Sequence, residues 1–255
     1  MNRKSSGKGA SMAAMTAAAG LVAGAAWAGQ EGSGKQEKPR AGHEAKDVQG
    51  GRVDHKINAQ FEKADVRDYI KKFESEDREV FARRSEIVSS LGLRPGMAVA
   101  DIGAGTGLFT RLMADAVGPE GKVYAVDVAR NFLDYIAERA KQDGTGQIIT
   151  VKGSQVSTNL KPGSVDLVFL CDVYHHLEDH EKVLASIRAA LRDGGRLVLV
   201  EFDRVEGKSS KFVLDHIRAD QATFRREIIA AGFGPVPGYH APRLKENFVA
   251  MFKKR

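Results

Sequence analysis

The 255-residue sequence predicts an α/β fold, a doubly wound parallel sheet with helices on both faces. Three observations predict it. From about residue 65 onward, short apolar runs alternate with segments whose apolar residues recur at helical spacing. Residues 165–170 stay apolar after Asp166 instead of alternating, as a strand covered on both faces must. Residues 99–110 read V-A-D-I-G-A-G-T-G-L-F-T, an apolar run that ends in a glycine-rich turn and restarts as a helix. Such a turn lets the backbone approach a nucleotide-like ligand at a helix start.

The elements follow in order. Residues 65–73 and 77–91 have helical spacing, the second with Val80, Phe81, Ile87, Val88 and Leu91 as its apolar stripe. Leu93-Arg94-Pro95-Gly96 is a turn into the first strand, 98–102. A helix at 108–116 and a turn at 118–121 lead to the second strand, 122–126, which ends at Asp127. A helix at 132–141, a strand at 147–151 and a strand at 165–170 come next. The helix at 181–191 is stopped by Asp193-Gly194-Gly195, and a fifth strand occupies 196–200 before Glu201. Helices at 211–218 and 221–231 precede two strands with no helix between them, near 235–240 and 247–252, which predicts an antiparallel ending.

The N-terminus has a different character. Residues 1–28 carry Arg3, Lys4 and Lys8, no acid, and an alanine-rich apolar stretch ending Ala26-Trp27-Ala28. This is the pattern of a cleaved export signal. The stretch is too mild for a spanning helix, which needs roughly 20 strongly apolar residues. Residues 29–57 are rich in Gly, Lys and Glu and lack the apolar surface needed to fold, so they read as a disordered linker. The folded domain is expected at 58–255, and the protein in the periplasm or outside the cell. The alternatives are a membrane tether by an uncleaved signal, or a cytoplasmic location. The formal net charge of +6 includes three cations of the signal, and the remaining basic residues are interspersed with acids. That excludes an argument for nucleic acid from charge. One cysteine, Cys171, excludes an intramolecular disulfide and a thiolate-pair metal site.

The glycines at 103, 105 and 107 form G-x-G-x-G, one residue tighter than the dinucleotide fingerprint G-x-G-x-x-G. With Asp101 two positions before them, they resemble motif I of the class I S-adenosylmethionine (SAM)-dependent methyltransferases. Three further stretches extend the resemblance: Asp127 after the second strand, Gly153-Ser154-Gln155 after the third, and V-D-L-V-F-L-C-D-V-Y-H-H-L at 165–177 with L-R-D-G-G-R-L-V-L-V-E-F at 191–202. The chain looks closest to the type 11 methyltransferase domains. The resemblance implies a Rossmann-like sheet of seven strands, the last inserted antiparallel beside the fifth.

It also implies a SAM site made by Asp101, Gly103, Ala104, Gly105, Thr106 and Gly107 around the methionine part, and by Asp127 with Val128 at the ribose. Gly153, Ser154 and Gln155 would lie at the adenine, where relatives carry an acid. Cys171 and Asp172 would lie on the floor near the transferable methyl. Asp127 also suits a helix cap. Methyl transfer needs a positioned acceptor and, for a hydroxyl, a base. His175 and His176 are the candidate bases, and Tyr174 would orient substrate or pack on the adenine. Asp172, His175, His176 and His180 form D-x-x-H-H-x-x-x-H, but a helix starting near Asp179 would turn His180 away, so no metal is expected. Residues 73–84 could fold over the cofactor as a lid, with Arg83 or Arg84 at its carboxylate, and His216-Ile217-Arg218 falls where relatives bind substrate.

The expected function is methyl transfer from SAM to a small-molecule acceptor, with no nucleic-acid partner and no membrane span after signal cleavage; the sequence sets no oligomeric state. The alternatives are a SAM-binding module without catalysis and a nicotinamide-dependent oxidoreductase. The early third glycine and the absence of a second nucleotide-binding half speak against the latter.

Overall fold

The computed structural model describes residues 60–61 and 64–255. The expected signal, and the expected linker at 29–57, lie outside these residues. From residue 64 onward the described chain begins with α1 (Val66–Phe73), α2 (Glu79–Ala82) and α3 (Arg84–Ser90). The alternating part then runs β1 (Ala98–Ile102), α4 (Leu108–Val117), β2 (Lys122–Asp127), α5 (Arg130–Asp143), β3 (Ile148–Lys152) and β4 (Val165–Cys171). A 3₁₀ turn (Tyr174–His176), α6 (His180–Ala190) and β5 (Leu191–Phe202) follow. The chain ends with α7 (Lys211–His216), α8 (Gln221–Ala230), β6 (Phe233–Pro235) and β7 (Asn247–Lys254).

The seven strands form one sheet in the order β3-β2-β1-β4-β5-β7-β6. The first five are parallel to their neighbours, and β7 runs antiparallel between β5 and β6. This is the sheet the sequence predicts. The order reverses between β1 and β4. At such a switch point the loops after adjacent strands diverge to opposite faces and leave a crevice at the strand carboxyl ends.

Successive strand residues point to opposite faces, and both faces are covered. Ala100, Val168, Leu170, Leu197 and Leu199 pack with Leu184 and Ile187 of α6 and Phe224 and Ile228 of α8. Val99, Leu167, Phe169, Val198 and Val200 pack with Ile87 of α3 and Phe109, Met113 and Val117 of α4. Each fully buried aliphatic side chain of this kind contributes roughly 1.5–3 kcal/mol. The sheet is therefore a rigid platform for the loops at its carboxyl edge.

Three boundaries differ from the sequence reading. The single helix expected at 77–91 is two, broken at Arg83 (φ −104°, ψ 13°), whose N–H still bonds back to Glu79. Asp193-Gly194-Gly195 does not end a helix but lies inside β5: Leu191 is already extended and pairs with Val165, and the register shifts before Leu167. The strand expected near 235–240 is instead Phe233–Pro235. Pro237 has no N–H to pair, and Gly238 at φ +69° turns the chain away.

Candidate functional site

The glycine turn sits at the crevice. Gly103 and Ala104 donate to the Val126 carbonyl, holding the turn against the end of β2. Gly103 has φ +70°, and a Cβ there would lie 2.4 Å from a Val173 methyl in the loop after β4. Glycine is thus required where the two diverging loops touch. Gly107, at φ +76°, begins α4, and a Cβ on it would meet Ile136 of α5 at 2.8 Å. Gly105 lies under the ring of Phe73.

Two carboxylates flank the turn. Asp101, at 3% exposure, accepts from the Thr110 hydroxyl at 2.6 Å and so ties β1 to α4. Burial pushes its pKa up to about 7, against the lowering effect of Thr110. Thr110 was not singled out from sequence, although its place three residues past Gly107 on the first turn of α4 puts it within reach of the strand end. The carboxylate of Asp127 accepts the Gly105 amide on Oδ2 (2.9 Å) and the Ala129 amide on Oδ1 (2.8 Å). Burial raises its pKa, and these amides oppose the rise. It thus closes a turn onto Ala129, the N-cap of α5, which itself has no side-chain cap bond. Each oxygen keeps a further acceptor site.

The remaining residues expected around a cofactor lie along the same edge. Ala104 and Thr106 are buried, and Thr106 accepts from Arg111. Val128 follows Asp127 and its carbonyl accepts from Lys152. Gly153 is buried and its N–H donates to the Asp127 carbonyl at 2.9 Å, while Ser154 is exposed and Gln155 half-buried. The residues present fit an adenosyl cofactor: a turn free of side chains, an acidic group with open acceptor sites at the next strand end, and small polar residues at the third.

The other half of the edge is assembled from distant residues. Asp172, after β4, adopts φ +52° and is 8% exposed. It accepts from Arg78 at 2.6 Å and from the Asn247 side-chain amide at 2.6 Å. Burial pushes its pKa up to about 6, opposed by Arg78. Glu79 in turn accepts the backbone amides of Lys245, Glu246 and Asn247, fixing the entry to β7. The segment 73–84 does reach over the edge, but through Arg78. Arg83 pairs with Glu86, and Arg84 with Glu76 and the Phe81 carbonyl, so both expected arginines are engaged by residues of their own region. Arg111 pairs with Glu74 at 3.0 Å and anchors the end of α1.

His175 is 3% exposed and its Nδ1 lies 2.9 Å from Glu201, which is fully buried at the end of β5. Glu201 also accepts the backbone amides of His175 and Phe202. With the carboxylate ionised, Nδ1–H donates and Nε2 is left with its lone pair. His176 stacks beside it, ring centroids 4.1 Å apart, and His216 from α7 lies 5.1 and 5.2 Å from the two. Burial, then His175 and His216, hold the His176 pKa down to about 3; burial and His175 lower that of His216. Exposed Phe212 stacks on His216 at 5.0 Å.

Tyr174 points elsewhere. It is 1% exposed, its hydroxyl donates to Glu227 at 3.0 Å, and Arg218 lies over its ring while pairing with the same carboxylate. His180 also faces Glu227, at 3.8 Å. Cys171 is half-buried, and burial pushes its thiol well up. It is a packing residue in the core under α4. A separate cavity of ≈ 520 Å³ between α4 and α5, lined by Leu108, Arg111 and Arg139, contains none of the histidines.

Residues 100–199 match the family model described as a methyltransferase domain. A demethylmenaquinone methyltransferase of Lactococcus lactis subsp. lactis is 29% identical over 118 residues, 46% of this chain and 47% of that protein. A ubiquinone/menaquinone biosynthesis C-methyltransferase UbiE of Hahella chejuensis is 30% identical over 118 residues, again 46% and 47%. The chain thus spans about half the length of these curated relatives. Among solved structures, a SAM-dependent methyltransferase from Aquifex aeolicus superposes with a TM-score of 0.65 over 76% of this chain and 100% of that one, at 22% identity. The described residues thus share the fold of that solved methyltransferase, and residues 100–199 are similar to a methyltransferase domain.

Proposed function

We propose that the protein is a SAM-dependent methyltransferase acting on a small-molecule acceptor. The observation that carries this reading is the arrangement at the switch point: a side-chain-free turn at 103–107, with Asp127 at the neighbouring strand end presenting acceptor sites for a ribose. SAM supplies an activated methyl on a sulfonium with a good leaving group. The protein's part is then to position the acceptor and take up its proton.

The acceptor would lie beyond Asp172, against the His175, His176 and His216 rings. Glu201 fixes the His175 tautomer, so the Nε2 lone pair is available to an acceptor proton. His175 and His176 remain the candidate bases. The Tyr174 hydroxyl is engaged with Glu227, which favours an indirect role for it, supporting the loop that carries the histidines. The curated relatives are named for methylation of demethylmenaquinone and for ubiquinone/menaquinone biosynthesis, which supports a non-macromolecular acceptor. Residues 1–28 we read as an export signal, to be tested by mass spectrometry of the mature N-terminus: a start at Gly29 supports it, and an intact residue 1 refutes it.

Calorimetric titration of the purified chain with SAM, S-adenosylhomocysteine and NAD tests the main reading. Binding of the two adenosyl ligands without NAD is expected. Binding of NAD alone would overturn it. Methyl transfer to a panel of phenolic and quinol acceptors separates an enzyme from a SAM-binding module.

A further inference from the structure

Three of the histidines converge, drawn from two separate segments. His175 and His176 leave the end of β4 in a 3₁₀ turn, and His216 arrives from the end of α7, 40 residues further along. Each offers one ring nitrogen, and these nitrogens all lie within 4.8 Å of one another.

The surroundings point the same way. Glu201, deep in the sheet, holds His175 Nδ1, so the nitrogen His175 can contribute is Nε2. A carboxylate behind one imidazole nitrogen orients the other toward a metal and raises its basicity. Glu201 is itself fixed by two backbone amides, so the orientation is built into the strand end. Around the cluster stand Phe61, Phe202 and Phe212, which limit water on its flanks. Three imidazoles and no thiolate suit a divalent first-row transition ion such as Zn²⁺ or Fe²⁺ rather than Mg²⁺ or Ca²⁺, which prefer oxygen.

We propose that His175, His176 and His216 form a three-histidine site for a divalent transition-metal ion, with Glu201 positioning His175. Three protein ligands leave at least one coordination position open, as catalytic sites of this type do. An oxygen of the acceptor could take that position, and the ion would lower the pKa of a bound hydroxyl. His180, the fourth member of the sequence pattern, is turned to Glu227 and takes no part. The function of this ion rests on the methyltransferase reading, in which a bound ion would take the His175 Nε2 lone pair and replace His175 as the group that activates the acceptor; its binding does not rest on that reading.

The test uses the full chain without an affinity tag, stripped with EDTA and dialysed. Titration with Co²⁺, followed by visible absorption, and with Zn²⁺, followed by calorimetry and elemental mass spectrometry, is expected to give one equivalent bound. His216→Ala should weaken binding at least tenfold, and Glu201→Gln about 10–100-fold. His240→Ala, an exposed histidine outside the cluster, should leave it unchanged. Failure of the wild-type chain to take up either metal at micromolar concentration would overturn the proposal without need of any variant. Equal affinity in folded His216→Ala would do the same. A SAM titration of the same preparation keeps the two readings apart: SAM binding without metal refutes only the metal site, and metal without SAM refutes only the methyltransferase reading.

Discussion

The two halves of the sheet's carboxyl edge are built in different ways. The half at β1 and β2 is local and made of backbone: amides of the turn bond to Val126 and to Asp127, and glycines stand where side chains would collide. The half at β4, β5 and β7 is made of side chains brought together from positions 78, 172, 175, 201, 216 and 247. The first half offers one geometry, which suits a constant cofactor. In the second, side chains from distant segments line the edge, which suits the recognition of a particular acceptor. The contrast teaches where to look for each part of the function.

The largest expected effect is on the point where the halves meet. Gly103→Ala places a Cβ at 2.4 Å from Val173 in a backbone conformation with φ +70°, and should destabilise the fold by about 2–4 kcal/mol. A urea midpoint within error of wild type would show that the loops are not in contact. Next is Arg78→Ala, which strands the buried Asp172 carboxylate and should cost about 2–3 kcal/mol after allowance for the partly exposed arginine. Adding Asp172→Asn should recover part of that loss, because no charge is then left unpaired.

A pH experiment sharpens the first half. The pKa of Asp101 is raised in the folded protein to about 7 from 3.8, so the folded state binds its proton more tightly than the unfolded state. Its contribution is therefore most favourable below pH 3.8 and is lost as pH rises toward 7. Urea midpoints at pH 5 and pH 8 should differ less in Asp101→Asn than in wild type, by on the order of 2 kcal/mol. An unchanged difference would mean that Asp101 is ionised throughout. The smallest effect belongs to Tyr174→Phe. Removing its hydroxyl leaves Glu227 paired with Arg218, so the cost should be about 1 kcal/mol, with kcat unaltered. A fall of kcat by tenfold or more would return Tyr174 to the chemistry.

The same contrast explains what was legible in the sequence. The turn at 103–107, Asp127 and the strand–helix alternation follow from contiguous residues, and the sheet order and antiparallel β7 agree with them. Asp127 also suits a helix cap by its sequence position, but its carboxylate stops at the amide of Ala129, one residue short of α5. Arg78, Glu79, Asn247 and Thr110 were not read as site residues, since each acts across a gap that no local spacing marks. His216 was noted only as part of a segment after the fifth strand; its approach to His175 and His176 depends on how α7 packs. The break at Arg83 and the shortened β6 were hidden for the opposite reason: their local pattern was sound, and tertiary pairing and Pro237 decided otherwise.

The central claim, that the two halves divide cofactor from acceptor, is tested most directly by measuring SAM affinity in Asp127→Ala and His216→Ala side by side. Loss of about tenfold or more in Asp127→Ala, with affinity retained in His216→Ala, is the predicted result. An Asp127→Ala protein that is folded and binds SAM as tightly as wild type would contradict it.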